Sequence, residues 1–204
     1  VKLPKKRTPS DDFLSFFKGL NIPQQEFADG ALDLKSTPKR IVKMYREELL
    51  AGYIDGAEQA LIDSFTCFPS DGNDAMVFIG PIDYTSLCAH HLLPFTGAAY
   101  VAYIPEEKVV GASKIPRVVT HYSRMLQIQE RLTRQVVDFV MEHASPRLVV
   151  ALFEGAHQCM RCRGVKQANT QMITTAIRPD HGRTLPKAID EFYQQLQFAK
   201  GNQR

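Results

Sequence analysis

The spacing of apolar residues changes period near residue 75 of this 204-residue chain. Before that point they recur at three- and four-residue intervals. Phe13, Phe16, Phe17 and Leu20 share one helical face, with Ser10 or Asp11 available as N-cap. In "DLKSTPKRIVKMYREELLAGY" Ile41, Met44, Tyr45 and Leu49 line a second face. There Ser36 or Thr37 can cap, Pro38 suits the first turn and Gly52 is a stop. Ala57 to Phe65 predicts a further short helix.

From Ala75 the pattern becomes that of strands. "MVFIGPIDYTSLC" and "GAAYVAYIP" are rich in β-branched and aromatic residues, punctuated by Pro94, Gly97 and Pro105. "IPRVVTHYSRMLQIQERLTRQVVDFVMEHA" returns to helical spacing in two pieces. Val118, Val119 and Tyr122 begin the first; Leu132, Val136, Val137, Val140 and Met141 line the second. "RLVVALFEGAH" predicts a strand ending at His157, "ANTQMITTAIR" another, and Asp190 to Phe198 a closing amphipathic helix. Helices, two strands, two helices and two strands describe an α+β domain with an antiparallel sheet. On this reading an N-terminal helical segment covers residues 1–72 and the main domain covers 73–204.

Composition narrows the picture. The net charge of +3, from 25 basic and 22 acidic residues, is too small to argue for nucleic acid. Lys2, Lys5, Lys6 and Arg7 read as a solvated tail. No apolar run reaches the ~18–20 residues a bilayer span needs, and the basic start lacks the apolar stretch of a secretory signal. Four cysteines, at 67, 88, 159 and 162, form no compact disulfide ladder. With two of them beside histidines, a reducing compartment is expected, and the protein is read as cytoplasmic.

The chemistry concentrates in "SLCAHHLLPF" and "HQCMRC". Cys88 and His91 form a C-x-x-H pair that a tight turn can aim at one ion, and Cys159 follows a strand. Two thiolates and one imidazole would leave a tetrahedral position open, the catalytic zinc arrangement. His90 and His157 flank these residues as candidate proton carriers. Spacing alone also admits buried thiols with satisfied histidines, and Cys159-x-x-Cys162 as a second metal knuckle.

Several separated stretches then resemble the GTP cyclohydrolase I family, the zinc enzymes that open pterin synthesis. "STPKRIVKMY", "SLCAHHLLPF", "GASKIPRVV", "LQIQERLT" and "HQCMRCRG" follow that family's motifs in order, from about Thr37 to Thr175. The resemblance implies the tunnelling fold: a four-stranded antiparallel sheet with two helices on one face, assembled into a homo-oligomeric pentamer or decamer with active sites between subunits. It implies Zn2+ on Cys88, His91 and Cys159, with His90 and His157 as catalytic proton carriers. Glu130, helped by Gln129, would hold the guanine edge of GTP. Ser113, Lys114, Arg117 and Arg163 would clamp the ribose and triphosphate, joined by Arg40 and Lys43 from a neighbouring subunit. The implied reaction opens the purine ring at C8, releases formate and forms 7,8-dihydroneopterin triphosphate. Neither nucleic acid nor membrane is an expected partner.

One departure stands out. Ala89 occupies the position where the family pattern has glutamate, so no carboxylate sits there to orient a ligand or tune His90. Three readings follow: an ordinary cyclohydrolase, a divergent paralogue that acts on a C8-modified or oxidised guanine nucleotide such as 8-oxo-GTP or stops after ring hydrolysis, or a weakly active nucleotide-binding subunit.

Overall fold

The computed structural model describes residues 7–20, 33, 36–72, 74–180 and 186–201. The chain divides into two compact units, Val1–Ala51 and Gly52–Arg204.

In the first unit, helix α1 (Pro9–Gly19) packs on α2 (Thr37–Met44). Thr8, rather than Ser10 or Asp11, is the N-cap of α1. Its side chain accepts from the Asp11 N–H, and the Asp11 carboxylate accepts from the Thr8 N–H at 2.8 Å, closing a capping box. Phe13 and Phe17 stack at 5.7 Å on the face the spacing predicts. Helix α2 loosens into a π turn at Tyr45–Leu49 before reaching Gly52. Gly52 serves a different need: a Cβ there would lie 2.7 Å from the His121 carbonyl and 2.8 Å from that of Arg124. Only glycine lets the two backbones approach this closely.

The second unit is built on a five-stranded sheet. Helix α3 (Ala57–Ser64), ahead of the 72/73 boundary drawn from the sequence, belongs to this unit, as does β1 (Cys67–Pro69). Then follow β2 (Val77–Cys88), β3 (Pro94–Ile104), β4 (Lys108–Val110), α4 (Lys114–Ser123), β5 (Leu126–Gln127), α5 (Gln129–Ala144), β6 (Leu148–His157), α6 (Gln158–Arg161), β7 (Met172–Pro179) and α7 (Pro186–Gly201). The sheet order is β5-β2-β3-β6-β7, and β1 pairs with β4 as a separate ribbon. The four long strands run antiparallel as expected, while short β5 joins the edge of β2 in parallel, making the sheet mixed.

Both faces of the central strands are covered. Ala99, Val101 and Tyr103 of β3 and Val149, Ala151 and Phe153 of β6 meet α4 and α5 through Ile115, Val118, Leu132, Val136 and Val140. The alternate residues, Tyr100, Ala102, Leu148, Val150 and Leu152, meet Ala188, Phe192 and Leu196 of α7. This two-sided burial explains why β3 and β6 read as continuous apolar runs rather than alternating ones. It also adds a helix on the face opposite the expected pair. At the end of α7, Lys200 pairs with Glu154 and lies 5.4 Å from the centre of the Tyr100 ring.

Among the described residues, no helix is long and apolar enough to cross a membrane.

Phe192 is fully buried and touches Phe78, with ring centres 5.7 Å apart. Phe192→Ala is therefore expected to lower stability by about 3–5 kcal/mol and to raise hydrogen exchange along α7. Denaturant unfolding at matched protein concentration measures the first. A loss under about 1 kcal/mol would mean that α7 docks without its aromatic anchor.

Candidate active site

Strand pairing brings the chemistry to one end of the sheet. Leu87 pairs with Pro94 across β2 and β3, and Phe95 pairs with His157 across β3 and β6. The ends of three strands thus coincide. On β2 the final residue is Cys88, 4% exposed. Its N–H donates to the Leu93 carbonyl at 2.9 Å, and its carbonyl accepts from the N–H of His91 at 3.3 Å and of Leu92 at 2.8 Å. Leu92 takes a positive φ of 54° to close this turn. The result sets His91 Nδ1 3.7 Å and His90 Nδ1 3.8 Å from Cys88 Sγ. On β6, His157 ends the strand and the single turn of α6 presents Cys159.

Cys88, His91 and Cys159 offer ligand atoms that all lie within 4.8 Å of one another. Ligands held tetrahedrally by zinc at roughly 2.0–2.3 Å stand some 3.5–3.8 Å apart, so the 3.7 Å pair suits one ion. The Cys159 thiol is pushed up by burial and by its Cys88 neighbour, with Arg163 drawing it the other way. A bound cation would relieve this crowding of two thiols, since metal binding takes them as thiolates. The donor set fits a metal.

His157 is held from two sides. Its ring stacks on Phe95 at 4.3 Å and 5°. Its Nε2 lies 3.0 Å from Gln129 Oε1. Gln129 is 1% exposed, and its Nε2 donates to the carbonyls of Phe153 at 3.0 Å and Met172 at 2.9 Å, with Thr174 Oγ1 at 3.2 Å. Carbonyls only accept, so the amide has one possible orientation. Its oxygen then accepts from His157 Nε2–H, and in the neutral ring Nδ1 carries the lone pair. Burial lowers the proton affinity of His157, opposed by the nearby Glu130 carboxylate.

This lock depends on Gly155. A Cβ there would stand 2.3 Å from Gln129 Oε1 and 2.8 Å from the Tyr84 hydroxyl. Across the ladder, its partner Gly97 would place a Cβ 1.7 Å from the Glu154 carbonyl. Gly155 clears the space through which the amide reaches the ring, and Gly97 lets the two strands approach closely there. The short string "QER" carries no sign of this, because the partners of Gln129 come from two strands beyond it in the chain.

The remaining candidates fall into two groups. Glu130, exposed in the first turn of α5, and Arg163, exposed just past α6, lie near His157 and Cys159 respectively, close enough to act on them electrostatically. Ala89 is exposed beside them, its N–H donating to the Gln127 carbonyl at 2.8 Å. Ser113, Lys114 and Arg117 form a separate run at the start of α4, where the Ser113 side chain caps nothing. Arg40 and Lys43 lie on α2 in the first unit. There Arg40 bonds Ser36 and Thr37, and Lys43 meets Glu47 at 3.7 Å. Arg161 is tied to the Thr170 carbonyl at 3.3–3.4 Å, which anchors the segment between α6 and β7.

The family model for GTP cyclohydrolase I matches residues 27–197. The chain belongs to the GTP cyclohydrolase I family. It is 44% identical over 167 residues to GTP cyclohydrolase 1 of Campylobacter jejuni subsp. doylei, covering 82% of this chain and 85% of that protein. The enzyme of the same name from Carboxydothermus hydrogenoformans is 45% identical over 146 residues, 71% of this chain and 73% of its own. That of Alkalilimnicola ehrlichii is 44% identical over 161 residues, 79% and 84% of the two chains. Membership of the GTP cyclohydrolase I family makes this chain an enzyme of that class. A solved structure of the archaeosine synthase QueF-Like overlaps half of this chain at 14% identity with a TM-score of 0.41, too slight a likeness to bear on the fold.

Nitrogen-15 spectra of the His157 ring are expected to show the neutral form protonated at Nε2 near neutral pH. Gln129→Leu should mix the tautomers and, by stranding two strand carbonyls, remove about 1–3 kcal/mol of stability. A native ring protonated at Nδ1 would break the argument.

Proposed function

We propose that this enzyme hydrolyses GTP at C8 of the guanine ring, releasing formate and forming 7,8-dihydroneopterin triphosphate. The observation that carries the reading is the Cys88, His91 and Cys159 group at the strand ends, in a chain matched over most of its length by cyclohydrolase relatives. Zn2+ is the proposed occupant of these three residues, where it would act as a Lewis acid that activates water for attack at C8.

The other roles fall to the chain's own residues. Glu130 accepts from the N1–H and 2-amino group of guanine, a pairing adenine cannot satisfy. His157 takes a proton at Nδ1, the atom its bond to Gln129 leaves free. His90, exposed at the turn, exchanges protons with the opening ring and with solvent. Ser113, Lys114, Arg117 and Arg163 bind ribose and triphosphate through charge-assisted bonds, and Arg40 and Lys43 of a neighbouring subunit complete the clamp. Assembly through the tunnelling fold, as a pentamer or decamer formed by the 73–204 domain, is the proposed source of that neighbour. A cytoplasmic location agrees with this nucleotide substrate.

Gln129 is assigned here to His157 rather than to the base, because its amide is already committed. The two roles separate kinetically: a positioning residue affects kcat, whereas a base contact affects KM. Gln129→Leu is expected to lower kcat by roughly 10–100-fold with KM for GTP little changed.

A second reading is favoured by Ala89. Its exposed methyl, beside His90 and Cys88, leaves room where a glutamate would stand, and a guanine nucleotide modified at C8 would suit that space.

Zinc-loaded protein is to be given GTP and, separately, 8-oxo-GTP, with formate, carbon dioxide and pterin fluorescence followed. Formate and pterin from GTP are expected, lost in Cys159→Ala, with Glu130→Gln raising KM by about 10–100-fold. Consumption of 8-oxo-GTP alone would replace the first reading by the second. If zinc binds and neither nucleotide reacts, both give way to a binding subunit.

A further inference from the structure

Three ligands use Cys159 but leave the second half of its C-x-x-C unexplained. Cys162 lies one helical turn from Cys159, just beyond α6 (Gln158–Arg161), and keeps a right-handed helical conformation with φ −91° and ψ −14°. Its N–H and its thiol both donate to the Gln158 carbonyl at 3.0 Å, so the turn is closed and the sulfur lies along it. Residues three apart on such a turn have Cα atoms about 5 Å apart, inside the roughly 4.4–6.8 Å that a disulfide bridges, and closing the bond needs the two side chains to turn toward each other. Cys162 is exposed, whereas Cys88 is 4% exposed. An oxidant from solvent therefore reaches Cys162 first.

We propose that Cys162 is a peroxide-sensing thiol whose oxidation closes a Cys159–Cys162 disulfide and withdraws one of the three metal ligands. In the first step the Cys162 sulfur attacks hydrogen peroxide. The O–O bond breaks, a sulfenic acid forms and one water leaves. In the second, the Cys159 sulfur attacks that sulfenic sulfur. The S–S bond forms, the S–O bond breaks, and the departing hydroxide takes a proton to become a second water. Two thiols lose two electrons and two protons, and the peroxide is reduced to two waters. A dithiol reductant reverses the change by exchange. With Cys159 taken, Cys88 and His91 are left as a two-residue remnant that no longer encloses an ion.

Disulfide closure depends only on the two cysteines; the loss of metal rests on the zinc reading above. The experiment keeps them apart. Zinc-loaded full-length protein is treated with hydrogen peroxide, free thiols are alkylated, and Glu-C digestion yields the peptide Gly155 to Glu191. In parallel a chromophoric chelator follows released zinc. The expected peptide is lighter by two hydrogens and unalkylated at both cysteines, with zinc released at the same rate and both changes reversed by dithiothreitol. Cys162→Ser should bind zinc normally and release it at least about tenfold more slowly. A disulfide mapping to Cys88 and Cys159, a sulfinic acid at Cys162 with Cys159 still alkylatable, or equal release from Cys162→Ser would each overturn the proposal. Closure of the Cys159–Cys162 bond in protein that binds no zinc would uphold the thiol pairing and remove the metal reading instead.

Discussion

In the ladder between β3 and β6, Phe95 stands opposite His157 and Ile104 opposite Leu148. A slip of one residue would turn every side chain of β6 to the other face of the sheet. Val149, Ala151 and Phe153 would leave the core beneath α4 and α5, and His157 would lose Phe95 and Gln129 together. The register is protected by burial on both faces. Slippage would set each apolar row against the helices shaped for the other, so the close packing of both faces would be lost at once. The position of Cys159 relative to Cys88 follows from the same ladder, because one begins just after β6 and the other ends β2, joined through β3.

Within that apolar frame lies a small polar network, in which each group limits its neighbours. Gln129 would be costly to bury unpaired, and its amide is satisfied at both ends by strand carbonyls and by His157. Gly155 makes room for it. Burial favours the neutral form of the His157 ring against the pull of Glu130, and the amide chooses which nitrogen holds the proton. The thiols of Cys88 and Cys159 meet the opposite situation. Burial and the neighbouring Cys88 disfavour the thiolate of Cys159, and an ion held between the two would have to displace that proton.

The surroundings of this centre divide by exposure. Groups that orient and tune, such as Gln129 and His157, are buried, whereas Ala89, His90, Glu130 and Arg163 face outward. The same openness leaves Cys162 accessible, so the segment that carries the candidate ligand Cys159 also presents an exposed thiol.

Much of this was legible in the linear pattern. The change of period near residue 75 and the long apolar runs of β3 and β6 reflect local forces: side-chain spacing, φ restrictions and backbone hydrogen bonding. The grouping of Cys88, His91 and Cys159 was legible too, because residue types and motif order single out these three. The tertiary structure alone decided the parallel β5, the helix on the second sheet face, the role of Gly52 as a close contact and the commitment of Gln129 to His157. Each of these depends on atoms brought together from distant parts of the chain, and a sequence records which groups are present but not which carbonyl will stand opposite a given amide.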